Sequence, residues 1–340
     1  MRSKFASVLL LVWLVSPSLA SGRKDAPVFE VSATKFLLGT KVDITVLHSE
    51  VRGAQAACYA AFKEMERVES VLSSHKPDSE ISRINSAAGS HPVKVSAETF
   101  AILARAVAYS SRLAGRFDVT IGPVSELWGF NGDRDVALPQ PERLRALLKL
   151  VDFRNLALNE ADSTAYLRVK GMRLDLGGIA KGYAIDRAAT VLRAHGLQDF
   201  LINAGGDIYA SGTKPEGQKW RVGVQHPRRP RALLATFEVS DMAVATSGDY
   251  ERFVEIDGVR YHHILDPETG YPATQCQSVT VFAPTAEEAD VWATYCFIVG
   301  FEAYQQGPHR SIHPALFVNA SGRVRLTPEL KNLYRLRLLP

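Results

Sequence analysis

Four stretches hold residues whose types and spacing could do chemistry. In Arg173-Leu-Asp-Leu-Gly-Gly-Ile-Ala-Lys-Gly-Tyr-Ala-Ile-Asp186 an apolar run meets three glycines and a lysine where a helix should begin. Gly177, Gly178 and Gly182 carry no Cβ, so backbone N–H groups could close on an anion at a helix end whose dipole favours negative charge. The stretch reads either as a phosphate cradle or as a plain strand-to-helix turn; it is not a P-loop, because no Gly-Lys-Ser/Thr follows four intervening residues. Asp290 and Thr294 stand four apart in a largely apolar helical segment, so their oxygens share a face. Such a pair serves either as a threonine bonded back to a carbonyl beside an aspartate paired with a base, or as oxygen donors to a hard cation. His263 stands just ahead of Asp266-Pro-Glu-Thr-Gly270, as a structural hydrogen-bonder or as a group able to move a proton near neutrality. Finally, Arg116 to Phe130 mixes β-branched residues, glycines and aromatics in a pattern that suits neither a regular strand nor a surface loop. It either lines a site or forms an irregular core segment anchored by Phe117 and Trp128.

These stretches need elements to hold them. Leu167, Val169, Met172, Leu174 and Leu176 alternate with polar residues around Lys170-Gly171, which predicts a hairpin whose second strand ends at Leu176. Ile185, Ala188, Ala189 and Leu192 fall at helical spacing, and His195-Gly196 closes that helix. Further helices are predicted over 51–72, 96–113 and 141–151, and Thr285-Ala-Glu-Glu288 is a capping box that opens the helix carrying Asp290. Strand-like runs lie over 28–48, broken at Gly39-Thr40, and over 200–204, 208–210, 220–224, 233–239, 242–246, 259–265 and 278–283. A closing hairpin spans 314–318 and 324–327, and Ser73 to Asn85 reads as a polar loop with a short helix. Helices and strands mixed over the whole length, without repeats or long linkers, predict one α/β unit of mixed sheets with packed helices, or two intimately packed lobes.

Composition bounds the partners. The 340 residues are 46% hydrophobic and 22% charged, an ordinary globular balance, and a net charge of only +4 without a basic stripe argues against nucleic acid. Residues 1–20 read as an export signal: Arg2 and Lys4, an apolar run from Val8 to Val15, then small residues up to Ala20. The mature domain would run over 21–340, exported, in the periplasm of a two-membrane bacterium, with no membrane span left after signal removal; a retained anchor is the rival reading. Cys58, Cys276 and Cys296 show no paired spacing, and the apolar surroundings of Cys58 and Cys296 suggest buried thiols on helices.

Taken together, Asp175-Leu-Gly-Gly-Ile-Ala-Lys-Gly-Tyr183, Asn203-Ala-Gly-Gly-Asp207, Thr246-Ser-Gly-Asp249, His263-Ile-Leu-Asp-Pro-Glu-Thr-Gly270 and Asp290-Val-Trp-Ala-Thr294 follow in the order and about the spacing of the ApbE family. Phe117-Asp-Val-Thr-Ile-Gly-Pro123 and Pro77-Asp-Ser-Glu-Ile-Ser-Arg-Ile-Asn85 match as well, so the resemblance covers nearly all of the chain beyond residue 20. It implies a magnesium-dependent FAD:protein FMN transferase, which joins FMN through a phosphoester to a Thr or Ser of an acceptor flavoprotein and releases AMP. By the same resemblance Asp290, Thr294 and the Ala180 carbonyl would ligate the magnesium, and His263 would be the catalytic base. Leu38, His75, Arg116, Phe117, Asp118, Gly177, Tyr183, Ile264 and Leu265 would contact FAD, and Lys181 would either touch its phosphate or be a salt-bridged loop lysine. Leu38 stands where the family usually has Met, which keeps bulk without the sulfur, and His75 where it has a larger aromatic. The acceptor implied is an exported subunit of a membrane redox complex. An FAD pyrophosphatase and a non-catalytic flavin carrier are the alternative readings.

Overall fold

The computed structural model describes residues 12–17, 27–130, 137–310, 312–332 and 335–339. Most of the predicted signal and its cut lie outside them; within it, Val12–Pro17 runs antiparallel beside Phe29–Leu37. The helices are α1 (Val51–Leu72), α2 (Glu80–Ser86), α3 (Ala97–Arg112), α4 (Gly122–Trp128), α5 (Pro141–Leu148), α6 (Ala180–Ala194), α7 (Ala286–Gln306) and the short α8 (Pro328–Asn332).

A nine-stranded sheet organises the chain, and its strands lie side by side in sequence order: Val12–Pro17, Phe29–Leu37, Thr40–His48, Phe200–Ala204, Asp207–Ser211, Met242–Gly248, Cys276–Ala283, Ala315–Asn319 and Val324–Leu326. Each neighbouring pair is antiparallel, so the insertions between strands carry everything else. The largest insertion, between Thr40–His48 and Phe200–Ala204, holds α1 to α6. Both faces of the sheet are covered, which is why Asp207–Ser211 is buried at every position instead of alternating. On one face α1 lays Ala54, Ala57, Ala61, Phe62 and Met65 against Val31, Val42, Ile44 and Val46. On the other, the small sheet of Trp220–Gln225, Leu233–Val239 and Arg337–Leu338 packs Trp220, Val222 and Phe237 over Val244, Phe282 and Leu316. A third apolar cluster, of Val124, Trp128, Leu144 and Leu265, ties α4 and α5 to the segment after His263. The α/β architecture expected from the sequence is therefore present, built on an antiparallel sheet. Cys58 on α1 and Cys296 on α7 are buried free thiols, as is Cys276.

Two local expectations change. The hairpin expected around Lys170-Gly171 has its first strand, Thr164–Leu167, but 172–176 forms no second one. Its backbone is claimed elsewhere: the Asp175 N–H donates to the Val119 carbonyl at 2.8 Å, and Leu174 exchanges bonds with the Asn85 side chain at 2.6 and 3.1 Å. The irregular stretch around Trp128 contains α4, whose Pro123 occupies the first turn where no N–H is needed. Trp128 is 1% exposed, donates through Nε1 to the Gly270 carbonyl at 2.8 Å and stacks on Tyr261 at 5.5 Å. The aromatic anchor thus holds the Asp-Pro-Glu-Thr-Gly turn in place.

Candidate active site

The centre is assembled where α6 and α7 touch. A Cβ on Gly182 would lie 2.2 Å from the Ala286 carbonyl oxygen, so the two helices meet at a distance only glycine allows. Asp186 secures the contact by accepting the Ala286 and Glu287 N–H groups at 2.8 and 2.9 Å, which caps α7. In return, Asp290 of α7 accepts the Gly182 N–H at 3.0 Å, inside the first turn of α6. One turn on, Thr294 borders the glycine loop: a Cβ on Gly178 would fall 3.3 Å from Thr294 Oγ1 and 3.0 Å from Phe117 Cε2. Ala180 lies between these two glycines, so Asp290 and Thr294 both border the loop that carries it. Asp290 thus also serves as an acceptor for the first turn of α6, from a backbone N–H and not from the paired base of the plainer reading.

Charge in this centre is unbalanced. Lys181 Nζ lies 2.8 Å from Asp207 Oδ2, and Asp207 Oδ1 accepts the Thr246 N–H at 3.2 Å. Burial disfavours the Lys181 ammonium, but Asp207 and Asp290 outweigh it and hold its pKa above the ordinary value. Burial and then the negative charge of Asp207 push the Asp290 carboxyl up, against the pull of Lys181 and the Gly182 N–H. Two buried carboxylates thus share one ammonium, an arrangement with room for another positive charge. Among the described residues no group of three or more His, Cys, Asp or Glu side chains gathers to hold a metal. A cation here would be held by one carboxylate, a hydroxyl and a carbonyl, with water or phosphate oxygens completing its shell. Such a hard, oxygen-only set fits magnesium.

His263 lies within the field of the same ammonium, Lys181. Its N–H donates to the Arg252 carbonyl at 3.1 Å, which extends the hairpin of Phe253–Ile256 and Val259–His262, and its buried Nδ1 has no protein partner among the described residues. Burial, then Arg252, His262 and Lys181, push the imidazole down to about 3. It is therefore a neutral ring with an unspent nitrogen.

The expected flavin contacts separate into groups. Arg116 bridges to Glu268 and, at 3.0 Å, to Asp266, which straps the Phe117 segment to the turn after His263. Asp118 spends both oxygens on structure, accepting from Thr120 N and Oγ1 at 2.8 and 2.7 Å and from Phe153 N at 2.9 Å. Gly177 donates to Asp175 at 2.9 Å. Leu38 takes a positive φ of 55° in the hairpin turn, and its N–H reaches Glu69, which also pairs with Lys76 at 2.7 Å; Glu69 thereby joins Leu38 to the loop of exposed His75. Ile264 and Leu265 are buried. The Tyr183 hydroxyl donates to Glu98 at 2.7 Å. Cavities of about 390 and 380 Å³ flank the Arg116-Phe117-Asp118 segment, the first lined by Arg116, Tyr271, Gln275 and Ile298, the second by Asp118, Phe153 and Glu268. Neither reaches Asp290 or His263. Asp207 is the residue that sequence reasoning passed over: it closes the quoted Asn203-Ala-Gly-Gly-Asp207 stretch, but its partner Lys181 comes from a different element.

Comparison with known proteins identifies the family. Residues 38–311 match the model of the ApbE family. A Treponema pallidum (strain Nichols) protein named FAD:protein FMN transferase is 38% identical over 297 residues, 82% of this chain and 81% of its own. A Klebsiella pneumoniae (strain 342) protein of the same name is 37% identical over 252 residues, 73% of this chain and 77% of its own. Among solved structures, the ApbE protein of Thermotoga maritima MSB8 superposes with a TM-score of 0.85 at 32% identity, covering 90% of this chain and 99% of that one. The flavin transferase ApbE from Vibrio cholerae does so with a TM-score of 0.78 at 27% identity, covering 96% and 99%.

Proposed function

The chain belongs to the ApbE family, and on that footing we propose that it is a magnesium-dependent FAD:protein FMN transferase acting on a Thr or Ser hydroxyl of an acceptor flavoprotein. The observation that carries this reading is the convergence of Asp290, Thr294 and the Ala180 loop at the first turn of α6, with Lys181 and the unpartnered His263 sharing its electrostatic field. Asp290, Thr294 and the Ala180 carbonyl would hold magnesium, which when bound neutralises charge on the phosphoryl oxygens.

The residues of the chain divide the remaining work. The N–H groups of Gly177, Ile179, Ala180 and Gly182 are spent on Asp175, the Leu176 carbonyl and Asp290, so the start of α6 offers the pyrophosphate of FAD chiefly its favourable dipole, and Lys181 adds a half-buried positive charge. His263, neutral and with Nδ1 unpartnered, takes the proton of the attacking hydroxyl. The hydroxyl oxygen bonds to the phosphorus on the FMN side, the bond from that phosphorus to the bridging oxygen breaks, and AMP leaves with the electron pair. Holding these groups in line supplies most of the acceleration in such a transfer.

The basic, apolar and small-residue pattern of residues 1–20 supports export with a cut near Ser21, which would remove the edge strand Val12–Pro17 and leave Phe29–Leu37 at the edge of the sheet. No helix among the described residues is long and apolar enough to cross a membrane. By the resemblance to the ApbE family, the acceptor would be an exported subunit of a membrane redox complex. Mass spectrometry of a candidate acceptor after co-expression tests the reading: a gain of FMN on one Thr or Ser is expected. Free FMN and AMP with an unmodified acceptor would instead identify a pyrophosphatase, in which water replaces the hydroxyl.

A further inference from the structure

Asp207 has no role in the scheme above, yet it is buried more deeply than Asp290, at 2% against 5% exposure. Its place is fixed by the backbone. The two-residue turn before it puts Gly205 and Gly206 at φ of 61° and 98°, as a tight hairpin requires, and a Cβ on Gly205 would fall 2.4 Å from Thr40 Oγ1. One carboxylate oxygen is tied to the Thr246 N–H and the other faces Lys181 Nζ at 2.8 Å. Lys181 is different: a four-carbon stem whose side chain is 28% exposed, able to swing between partners. The ammonium lies within the fields of both Asp207 and Asp290.

We propose that Asp207 is a positioning residue: it anchors the Lys181 ammonium, which leaves the Asp290 carboxylate to the divalent cation and presents the ammonium to the phosphates. The proposal rests on the reading of Asp290 as a metal ligand. Its physical content is a competition between two cations for one carboxylate. Without the Asp207 charge, Asp290 is the buried carboxylate left within the field of the ammonium, and Lys181 turns to it and opposes the metal. Without Lys181, two buried carboxylates face each other uncompensated and draw a cation more strongly.

The two substitutions therefore act in opposite directions on a quantity that needs no turnover. Mn2+ or Mg2+ binding to the full chain without FAD, followed by calorimetry or by Mn2+ paramagnetic resonance, should weaken about tenfold in Asp207→Asn and tighten about tenfold in Lys181→Met. The double variant should return near the wild-type value, because the competitor and its anchor are removed together. A purely structural role for Asp207 predicts weakened binding in Asp207→Asn and in the double variant alike, and that result overturns the proposal, as does equal affinity in all four proteins. Should Asp207→Asn not fold, Lys181→Met carries the test, since weaker or unchanged binding in that variant contradicts the competition. Asp290→Asn separates the premise from the inference. Retained cation binding there removes Asp290 as ligand and this proposal with it, whereas lost binding there with unmoved affinity in the other variants overturns the Asp207 assignment alone.

Discussion

Lys181 and Tyr183 are two residues apart on α6, yet they open onto regions of opposite character. On the Tyr183 side charge is matched: Arg67 pairs with Glu64 and Glu98 at 2.8 and 2.6 Å, Arg187 pairs with Glu64 at 2.9 Å, and Arg105 binds Glu287 at 2.7 Å while lying 5.4 Å from the Tyr183 ring. Hydrogen bonds from Arg67 come first among the causes that hold Glu64 down to about 2 and Glu98 below its ordinary value. On the Lys181 side the acids outnumber the base, and burial pushes Asp290 the opposite way. One turn of helix thus carries a balanced network that joins α1, α3 and α6, and an unbalanced one that faces the glycine loop. Balanced charge gives a fold; charge left in excess in a buried site gives a place for a cation and a phosphate.

That contrast can be broken most directly at Asp290. Asp290→Asn keeps an acceptor for the Gly182 N–H while removing the charge. FAD cleavage in saturating magnesium should fall about 10³-fold or more, the several kcal/mol a bound divalent cation contributes, with metal-free thermal stability unchanged or raised. Wild-type turnover with the same magnesium dependence would leave Asp290 as a helix cap and nothing else. Next comes His263→Ala, which should reduce transfer about 10²–10³-fold while FAD still binds, because the ring acts on the incoming hydroxyl. Near-normal transfer at neutral pH in that variant would remove His263 from the role.

The same imidazole gives a test of the field. In the free protein burial, Arg252, His262 and Lys181 hold its pKa down to about 3, so the ring is neutral above that pH and is protonated only below it. A pyrophosphate brings negative charge against those cations, so binding of FAD in EDTA should raise the His263 pKa. Ring titration by NMR with and without FAD reads the shift directly; a pKa unmoved by FAD would place the phosphates away from His263.

Most of the fold was legible because period and punctuation agree with it. α1 occupies the Val51–Leu72 span that its apolar spacing predicts, and Thr285 caps α7 by accepting the Glu288 N–H, as the capping box requires. What escaped depends on distant partners. The strand expected over 172–176 was lost to Asn85, 89 residues away, and α4 was obscured by Gly122 and Pro123, which read as breakers but suit a first turn. The site follows the same rule. Asp290 and Thr294 could be read as a pair because one helix supplies both. The value of Asp207 was invisible until the sheet brought it to Lys181, and the Tyr183 hydroxyl turned to a glutamate on α3 that no local pattern announces.

The smallest expected effect lies on the balanced side. Glu98 is 20% exposed and accepts from Arg67 through both oxygens and from the Tyr183 hydroxyl. Glu98→Gln keeps one oxygen acceptor and removes the charge, while Arg67 retains Glu64. An ion pair this close to solvent contributes about 0.2–1 kcal/mol, so the melting temperature should fall by about 1–3 °C at pH 7. The sign with pH follows from the direction of the shift: a carboxyl held below its ordinary value stabilises the fold fully above the unfolded carboxylate range and loses that contribution as pH falls through its folded value. The gap between wild type and variant should therefore be largest near neutrality and close in acid, which melts at pH 7 and pH 3 would resolve. FAD affinity is the sharper readout. By resemblance Tyr183 belongs with the flavin contacts, whereas its bond to Glu98 assigns it to the network between helices. FAD binding within about twofold of wild type in Glu98→Gln keeps the two sides of α6 apart. A loss of tenfold or more would mean that the Tyr183 hydroxyl is held in place for the flavin, and that the balanced network supports the substrate as well as the fold.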